Sequence, residues 1–411
     1  MSLNDMKLAG RRVCILGPRD ASLDGRLQKE VRALKKAGAT IKVIYRDRTH
    51  FPELLEDDVE WIALSGNPEF ELPRLGNEDV WWPLRVLVNL TITKIKLKKY
   101  HARQETKDLT FFDEQAAQEA VKFNPDFIQA NDIYTLRTGH LASLKSGSKL
   151  VYNPYELFDS YFSCEEMQAK ANKAEGDCIP QCDLIIAAWP GIRESLQARF
   201  PNKKMVAVLN SLPDALVQTD ATHNPVRLVS QGGIRRLTHD VNLVKAMVYL
   251  KGRAHLTLQG KSVDAEHENE ITDVIKSNNL EGSVTLSGPF ENSESISILE
   301  GFDVGLCVFK PDTPSKNKTL ANRLFAYMNA GLAVVLGSTQ AHREFPSVEK
   351  FALIIDPETP ESIAKGIELL LEQPDEIIKL GKSAKEMYAQ YSWEVQESNL
   401  IEAYNNLWAE E

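Results

Sequence analysis

Short apolar runs and helix-spaced segments alternate along most of this chain. Residues 11–17, RRVCILG, form an apolar run ended by glycine, the pattern of a buried parallel strand. The next stretch, DGRLQKEVRALKKAG, spaces Leu27, Val31 and Leu34 along one helical face and stops at Gly38. TIKVIYRD predicts a second strand. The alternation resumes with a helix over FFDEQAAQEAVKF, a strand in PDFIQAN, a helix over YTLRTGHLASLKSG and a strand in KLVYNPYE. DLIIAAW (strand), GIRESLQARF (helix) and MVAVLNS (strand) complete the first half. Residues 211–225 lose the periodicity and carry two prolines, which predicts a linker.

The pattern then restarts. RLVSQGG, HLTLQG, SVTLSG, VGLCVF, LAVVLGS and FALIID predict strands, with helices at 240–250, near 266–278, at 293–300 and within ANRLFAYMNAG. Three further helices close the chain: PESIAKGIELLLEQ, DEIIKLGKSAKEMYAQ and EVQESNLIEAYNNLW. Strand–helix alternation of this kind implies an α/β fold with parallel sheets covered on both faces. Two doubly wound halves of similar size are expected, with a ligand cleft beyond the carboxyl ends of their strands.

Composition narrows the class. A chain of 411 residues, 43% hydrophobic and 26% charged, has enough apolar material for two cores and too much for a disordered chain. The net charge of −10 disfavours general nucleic-acid binding, which needs a basic surface. No apolar run reaches membrane-spanning length, and MSLNDMKLAGRR lacks the apolar core of a secretory signal. The odd set Cys14, Cys164, Cys178, Cys182 and Cys307 reads as free thiols in a reducing compartment, so a cytoplasmic location is expected.

Candidate chemistry collects at the predicted strand ends. SQGGIRR (230–236) sets two glycines and two arginines before a helix, which suits a phosphate or serves as an ordinary turn. KPDTPSKNKTLANRLFAYM (310–328) crowds Lys310, Lys316, Lys318 and Arg323 between strand and helix, either a pyrophosphate clamp or a lysine-rich surface loop. QANDIY and YNPYELF place Asp132, Tyr155 and Glu156 past two strands, where they could orient a hydroxylated acceptor; Asp132 could equally cap a helix. GPRDASLDGR adds Arg19, Asp20 and Arg26 at a third strand end. No P-loop, G-x-G-x-x-G, D-x-D or G-x-S-x-G occurs, and histidines and cysteines do not cluster at metal-ligand spacing, so no metal is expected.

In order, these segments resemble glycosyltransferase family 4 over nearly the whole chain. PDFIQANDIYTLRTGHLASLKSGSKLVYNPYELF is similar to that family's stretch ending in k-l-v-y-D-x-H-E-l-f. CDLIIAAWPGIRESLQARF and VLNSLPD resemble its a-D-x-i-i and N-x-P passage, and LANRLFAYMNAGLAVV resembles L-P-N-K-L-F-E-Y-M-x-A-G-L-P-V-V. The resemblance implies the GT-B fold, two Rossmann-like domains facing a central cleft. Residues 1–212 would be the acceptor domain, 213–391 the nucleotide-sugar donor domain, and 392–411 a helix returning to the first. It implies metal-independent, retaining transfer of a sugar from a nucleotide-diphosphate sugar, with no cofactor, to a hydroxyl acceptor that is a glycan or lipid-linked, as in cell-surface polysaccharide biosynthesis.

Carried onto this chain, the donor contacts fall at Gly17, Gly232, Gly233, Arg235, Arg236, Lys316, Lys318, Asn322, Arg323, Leu324 and Ala326. Acceptor contacts fall at Asp20 and Arg26, and the catalytic positions at Asp132, Tyr155 and Glu156. The departures fall on working residues. The family's ribose-binding Glu is Ala326, the acidic position eight residues earlier is Lys318, and the H-E pair is Tyr155–Glu156. Its phosphate-contacting Arg falls at Thr238. Losing the ribose carboxylate removes a bond worth roughly 1.5–3 kcal/mol, about one or two powers of ten in affinity. Two readings follow: a transferase with altered donor contacts, or a degenerate relative that binds without catalysis.

One stretch points to a membrane surface. Seven Lys or Arg stand against one acid, Glu105, between Arg85 and Lys107, just after Trp81 and Trp82. The one-signed charge and its apolar partner VLVNLTI favour peripheral contact with an anionic bilayer over a solvated helix face.

Overall fold

A computed structural model describes residues 7–46, 55–64, 109–162, 164–215, 222–235, 238–262, 264–290, 294–309 and 313–409. Arg236, Lys310 and the basic stretch at 81–107 lie outside the described residues. The chain folds into two compact units. Unit 1 takes the described residues up to Ile186, with Arg199–Met205 and the residues from Ala403 onward. Unit 2 takes Ala187–Ala198 and Val206–Glu402.

The sheet of unit 1 is built from β1 (Arg12–Gly17), β2 (Thr40–Arg46), β3 (Glu60–Leu64), β4 (Phe127–Asn131), β5 (Lys149–Asn153), β6 (Leu184–Ala187) and β7 (Met205–Ala207). Its order is β3-β2-β1-β4-β5-β6-β7. β1 lies parallel to both β2 and β4, so the winding reverses between β1 and β4. The second sheet comprises β8 (Val226–Gln231), β9 (Ala254–Gln259), β10 (Val284–Gly288), β11 (Val304–Cys307), β12 (Ala333–Gly337) and β13 (Ala352–Ile355). Its order is β10-β9-β8-β11-β12-β13, with the reversal between β8 and β11. A reversal of this kind opens a crevice at the carboxyl ends of the two central strands, where α/β sheets bind ligands.

The helices are α1 (Gly25–Lys36), α2 (Leu109–Lys122), α3 (Ile133–Ser146), α4 (Glu165–Cys178), α5 (Pro190–Arg199), α6 (Asp240–Leu250) and α7 (Ala265–Ser277). They continue as α8 (Pro314–Asn317), α9 (Asn322–Asn329), α10 (Gln340–Arg343), α11 (Pro360–Leu371), α12 (Pro374–Tyr388) and α13 (Trp393–Trp408). In unit 2 the stripe Leu243, Val244 and Met247 of α6 packs with Leu228, Leu256 and Leu258 of the sheet and Ile363 and Ile367 of α11. Each such fully buried aliphatic contributes about 1.5–3 kcal/mol. That stripe sets α6 on the sheet and carries its N-terminus to the end of β8.

The helix expected at 293–300 is not formed over its described residues, 294–300, which hold 3-10 and turn structure, including the 3-10 turn Ser297–Leu299. Ser297 Oγ donates to the Glu294 carbonyl at 3.1 Å, a serine bonding its own backbone in competition with helix, and Gly301 at φ 87° stops the turn. Conversely, α4 and β3 form where no element is expected. α4 buries Ala171, Ala174, Glu175 and Cys178, small or charged residues that leave little hydrophobic pattern. All five cysteines are free.

Candidate functional site

The reversal point of unit 1 holds a dense buried polar network. β4 alternates its side chains, so Gln129 and Asn131 share one face, and Asn131 stands in register with Asn153 of β5. α1 brings Arg26 and Glu30, one turn apart, against the same strand ends. Glu30 is fully buried, and its carboxylate accepts from Arg26 Nε at 2.8 Å, Gln129 Nε2 at 2.8 Å and Asn153 Nδ2 at 2.9 Å. Arg26 Nη2 reaches Asn153 Oδ1 at 2.9 Å, and Tyr404, from the end of α13, hydrogen-bonds Gln129. Buried charges persist when paired and bonded in this way. The net effect is a rigid floor.

Tyr155 stands on that floor. Its hydroxyl accepts from Asn131 Nδ2 at 2.9 Å and reaches Asp24 Oδ2 at 3.4 Å, while Arg26 lies 5.1 Å over its ring. Burial pushes the Tyr155 phenol well above its ordinary range. Asp132 caps α3 by accepting from the Ile133 amide at 2.9 Å. Its backbone sits at φ 69°, ψ 165°, a region that essentially only glycine visits, and which costs of order 1–3 kcal/mol. Burial raises its carboxyl to about 6, against the lowering pull of the Ile133 amide and Arg19. Glu156 is half-buried beside Tyr155 on the loop after β5. Asp20 caps the turn Ala21–Leu23 through Ser22, and Arg26 pairs with Glu30, so both expected acceptor contacts hold the local fold. Gly17 ends β1, where a Cβ would stand 3.2 Å from Tyr45 and 3.3 Å from Leu27.

The reversal point of unit 2 is more open. β8 ends at Gln231 and turns through Gly232, Gly233, Ile234 and Arg235. Gly232, at φ 116°, approaches Gly260 so closely that a Cβ on Gly260 would overlap the Gly232 carbonyl, and its amide donates to Gln259 O at 2.8 Å. The Gly233 amide has no hydrogen-bond partner among the described residues. α9 supplies the flank of the turn. Arg323 Nη1 donates to Ser230 Oγ at 3.1 Å, and its guanidinium lies 2.8 Å from where a Cβ of Gly232 would stand. No carboxylate pairs with Arg323 within 4.0 Å among the described residues.

One turn further along α9, Tyr327 wedges between the splayed strand ends. Its hydroxyl accepts from the Gln231 amide at 2.8 Å and reaches Leu306 O at 3.4 Å, and its ring fills the space beside Gly305. Helical spacing sets Ala326 three residues beyond Arg323, where it is 4% exposed. Leu324 is fully buried and Asn322 exposed. Lys316 and Lys318 are half-buried on and after α8, and Arg235 is exposed. Thr238 bonds Asp240, so no cation stands at that position. Gly232, Gly233 and Arg323 thus come together, and the exposed Arg235 brings its Nε 2.9 Å from where a Cβ of Gly233 would stand.

Several residues of these networks were not expected from the sequence: Glu30, Gln129, Asn153, Ser230, Tyr327 and Asp240. Glu30 carried a signal, four residues from Arg26 on a helix. So did Gly305, a glycine inside a strand, which marks a close approach.

No protein-family model matches the chain, and no curated protein matches it in sequence. Solved structures do match over the full length. Sucrose-phosphate synthase from Thermosynechococcus elongatus superposes with a TM-score of 0.70 at 16% identity, covering 98% of this chain and 100% of that one. HepE of Anabaena in complex with UDP gives 0.72 at 13% identity, covering 97% and 100%. A glycosyltransferase from Rickettsia africae gives 0.70 at 14% identity, also covering 97% and 100%. The fold is therefore that of GT-B glycosyltransferases, two Rossmann-like domains. Among the described residues no helix is long and apolar enough to cross a membrane.

Proposed function

We propose that the protein is a glycosyltransferase that moves a sugar from a nucleotide-diphosphate sugar to a hydroxyl acceptor. The carrying observation is the turn Gly232–Arg235, with an unpartnered Gly233 amide among the described residues and Arg323 folded over Gly232. Open amides and a guanidinium are the donors a diphosphate takes, and stabilising a departing diphosphate is the main catalytic demand of such transfer. HepE, which shares the fold, binds UDP and UDP-glucose. Unit 2 is then the donor domain, with Arg235, Arg236, Lys316 and Lys318 supplementing Arg323. Unit 1 is the acceptor domain, with Asp132, Tyr155 and Glu156 over its rigid floor.

Retention of configuration, independence of metal and a glycan or lipid-linked acceptor belong to this proposal through the family resemblance. So does peripheral contact with anionic membrane through residues 81–107; flotation on anionic but not neutral liposomes, lost at high salt, is the expected result. Titration calorimetry with uridine and guanosine diphosphates, followed by turnover of the matching sugar nucleotides, tests the main reading. Binding plus sugar release is expected, and a chain that binds neither diphosphate is not a transferase of this kind.

Ala326 favours a second reading, a non-catalytic binding module. The ribose carboxylate of the family is absent, and the alanine in its place is buried. Diphosphate binding without turnover on any acceptor would support it. Ala326→Glu should tighten UDP binding where position 326 faces the nucleotide; flat or weaker affinity means the pocket is built around the alanine.

A further inference from the structure

We propose that His267 and Asp240 form a positioning pair for the glycine turn of unit 2, and that protonation of the pair favours a bound diphosphate. The inference rests on reading that turn as a nucleotide-diphosphate site. Asp240 opens α6 and is 2% exposed. Its Oδ2 accepts from the Arg235 amide at 3.0 Å and from the Thr238 hydroxyl. The carboxylate therefore fastens the far end of the turn to the helix.

His267 lies on α7 and is also 2% exposed. Its Nε2 stands 3.6 Å from Asp240 Oδ2 and its Nδ1 3.6 Å from Glu270 Oε2. Neither ring nitrogen has a hydrogen-bond partner among the described residues. A neutral imidazole carries one N–H and one lone pair, so it would aim the lone pair at one of the two carboxylates. Only imidazolium offers a donor to both. Burial raises the Asp240 carboxyl, while Thr238, the Arg235 amide, Arg323 and His267 oppose that rise.

Arg323 acts on Asp240 from α9, and the same guanidinium overlies Gly232. A diphosphate on the turn adds negative charge beside Asp240, which already holds the Arg235 amide of that turn. Asp240 then depends more on His267 for its counter-charge. The groups facing the pair are Arg323 from α9, Glu270 from α7 itself and the turn through Arg235 and Thr238; His239 precedes Asp240 as the cap of α6. Linkage makes the coupling reciprocal: protonation that tightens binding requires binding to promote protonation.

Histidine changes charge between about pH 5 and 8, which sets the window of the test. UDP is titrated into the full chain and into His267→Gln by calorimetry from about pH 5.5 to 8.5. Affinity in the wild type should weaken by about fivefold or more across that range, beyond any change in the variant. The variant subtracts the titration of UDP itself. As a check that needs no variant, wild-type titrations at about pH 8, where the phosphate is already ionised, should show proton uptake in buffers of different ionisation heat. The same pH dependence in both proteins, or no proton uptake by the wild type, overturns the pair while leaving the diphosphate site standing. No UDP binding at any pH brings down both.

Discussion

The two strand-reversal points share a topology but differ in how their polar groups are used. In unit 1, Glu30, Arg26, Gln129, Asn131 and Asn153 bond to one another in a dense buried cluster. In unit 2, the Gly233 amide lacks a partner among the described residues, and Arg323 makes one bond to a serine. A buried polar group without a partner is costly, so a densely bonded cluster reads as scaffold. Donors left open at a strand reversal are what the proposed diphosphate site rests on. The two Rossmann-like sheets thus differ: one is densely bonded at its carboxyl end, and the other leaves donors open there.

The largest expected effect breaks the dense cluster. Glu30→Ala strands the Arg26 guanidinium in the interior and should cost about 3–5 kcal/mol, measured by urea unfolding. A cost below about 1 kcal/mol would mean the network does not stiffen unit 1. Arg323→Ala should act oppositely, weakening UDP binding at least tenfold (about 1.4 kcal/mol) with little loss of stability. Unchanged affinity would return the guanidinium to a structural role.

Asp132 sharpens the contrast, because it is the one strained group of the unit 1 site. Burial pushes its carboxyl up to about 6 from the ordinary aspartate value of 3.8, so the fold prefers the neutral acid. That cost is present above pH 6 and fades as pH falls toward 4, since the folded state then binds the proton first. Asp132→Asn keeps an acceptor for the Ile133 amide and removes the buried charge. It should stabilise by about 1 kcal/mol at neutral pH, with the gain gone near the lower limit. A gain independent of pH would locate the effect in the backbone alone. The smallest effect is expected at the rim. Arg235→Ala, exposed as it is, should weaken UDP binding by about threefold or less, in line with a solvent-screened charge.

Much of the architecture was written in local pattern. The strands at 12–17, 226–231 and 333–337 and the helix at 240–250 follow directly from apolar runs and helical spacing. α4 escaped because its buried face is alanine, cysteine and Glu175, whose carboxylate is held by Arg199 rather than by hydrophobic contact. The turn at Gly232 was legible for the same reason as the strands: two glycines after an apolar run mark a sharp exit. Tyr327 and Glu30 were not. One needed Gly305 to be its neighbour and the other needed Gln129 and Asn153, all distant in sequence.

By itself, then, the order of residues determined the alternation of strands and helices, the glycine exit from β8 and the absence of a carboxylate at Ala326. Those depend on periodicity, on backbone freedom and on residue identity, which act within a few positions. Only the tertiary structure decided that Arg323 rather than Arg235 lies over Gly232, that Gln129 and Asn153 meet Glu30, and that Asp132 sits in a strained conformation. Those outcomes depend on which side chains meet across parallel strands. The meeting is set by register and packing between segments about a hundred residues or more apart, whose side chains pair only once the sheet has brought them together.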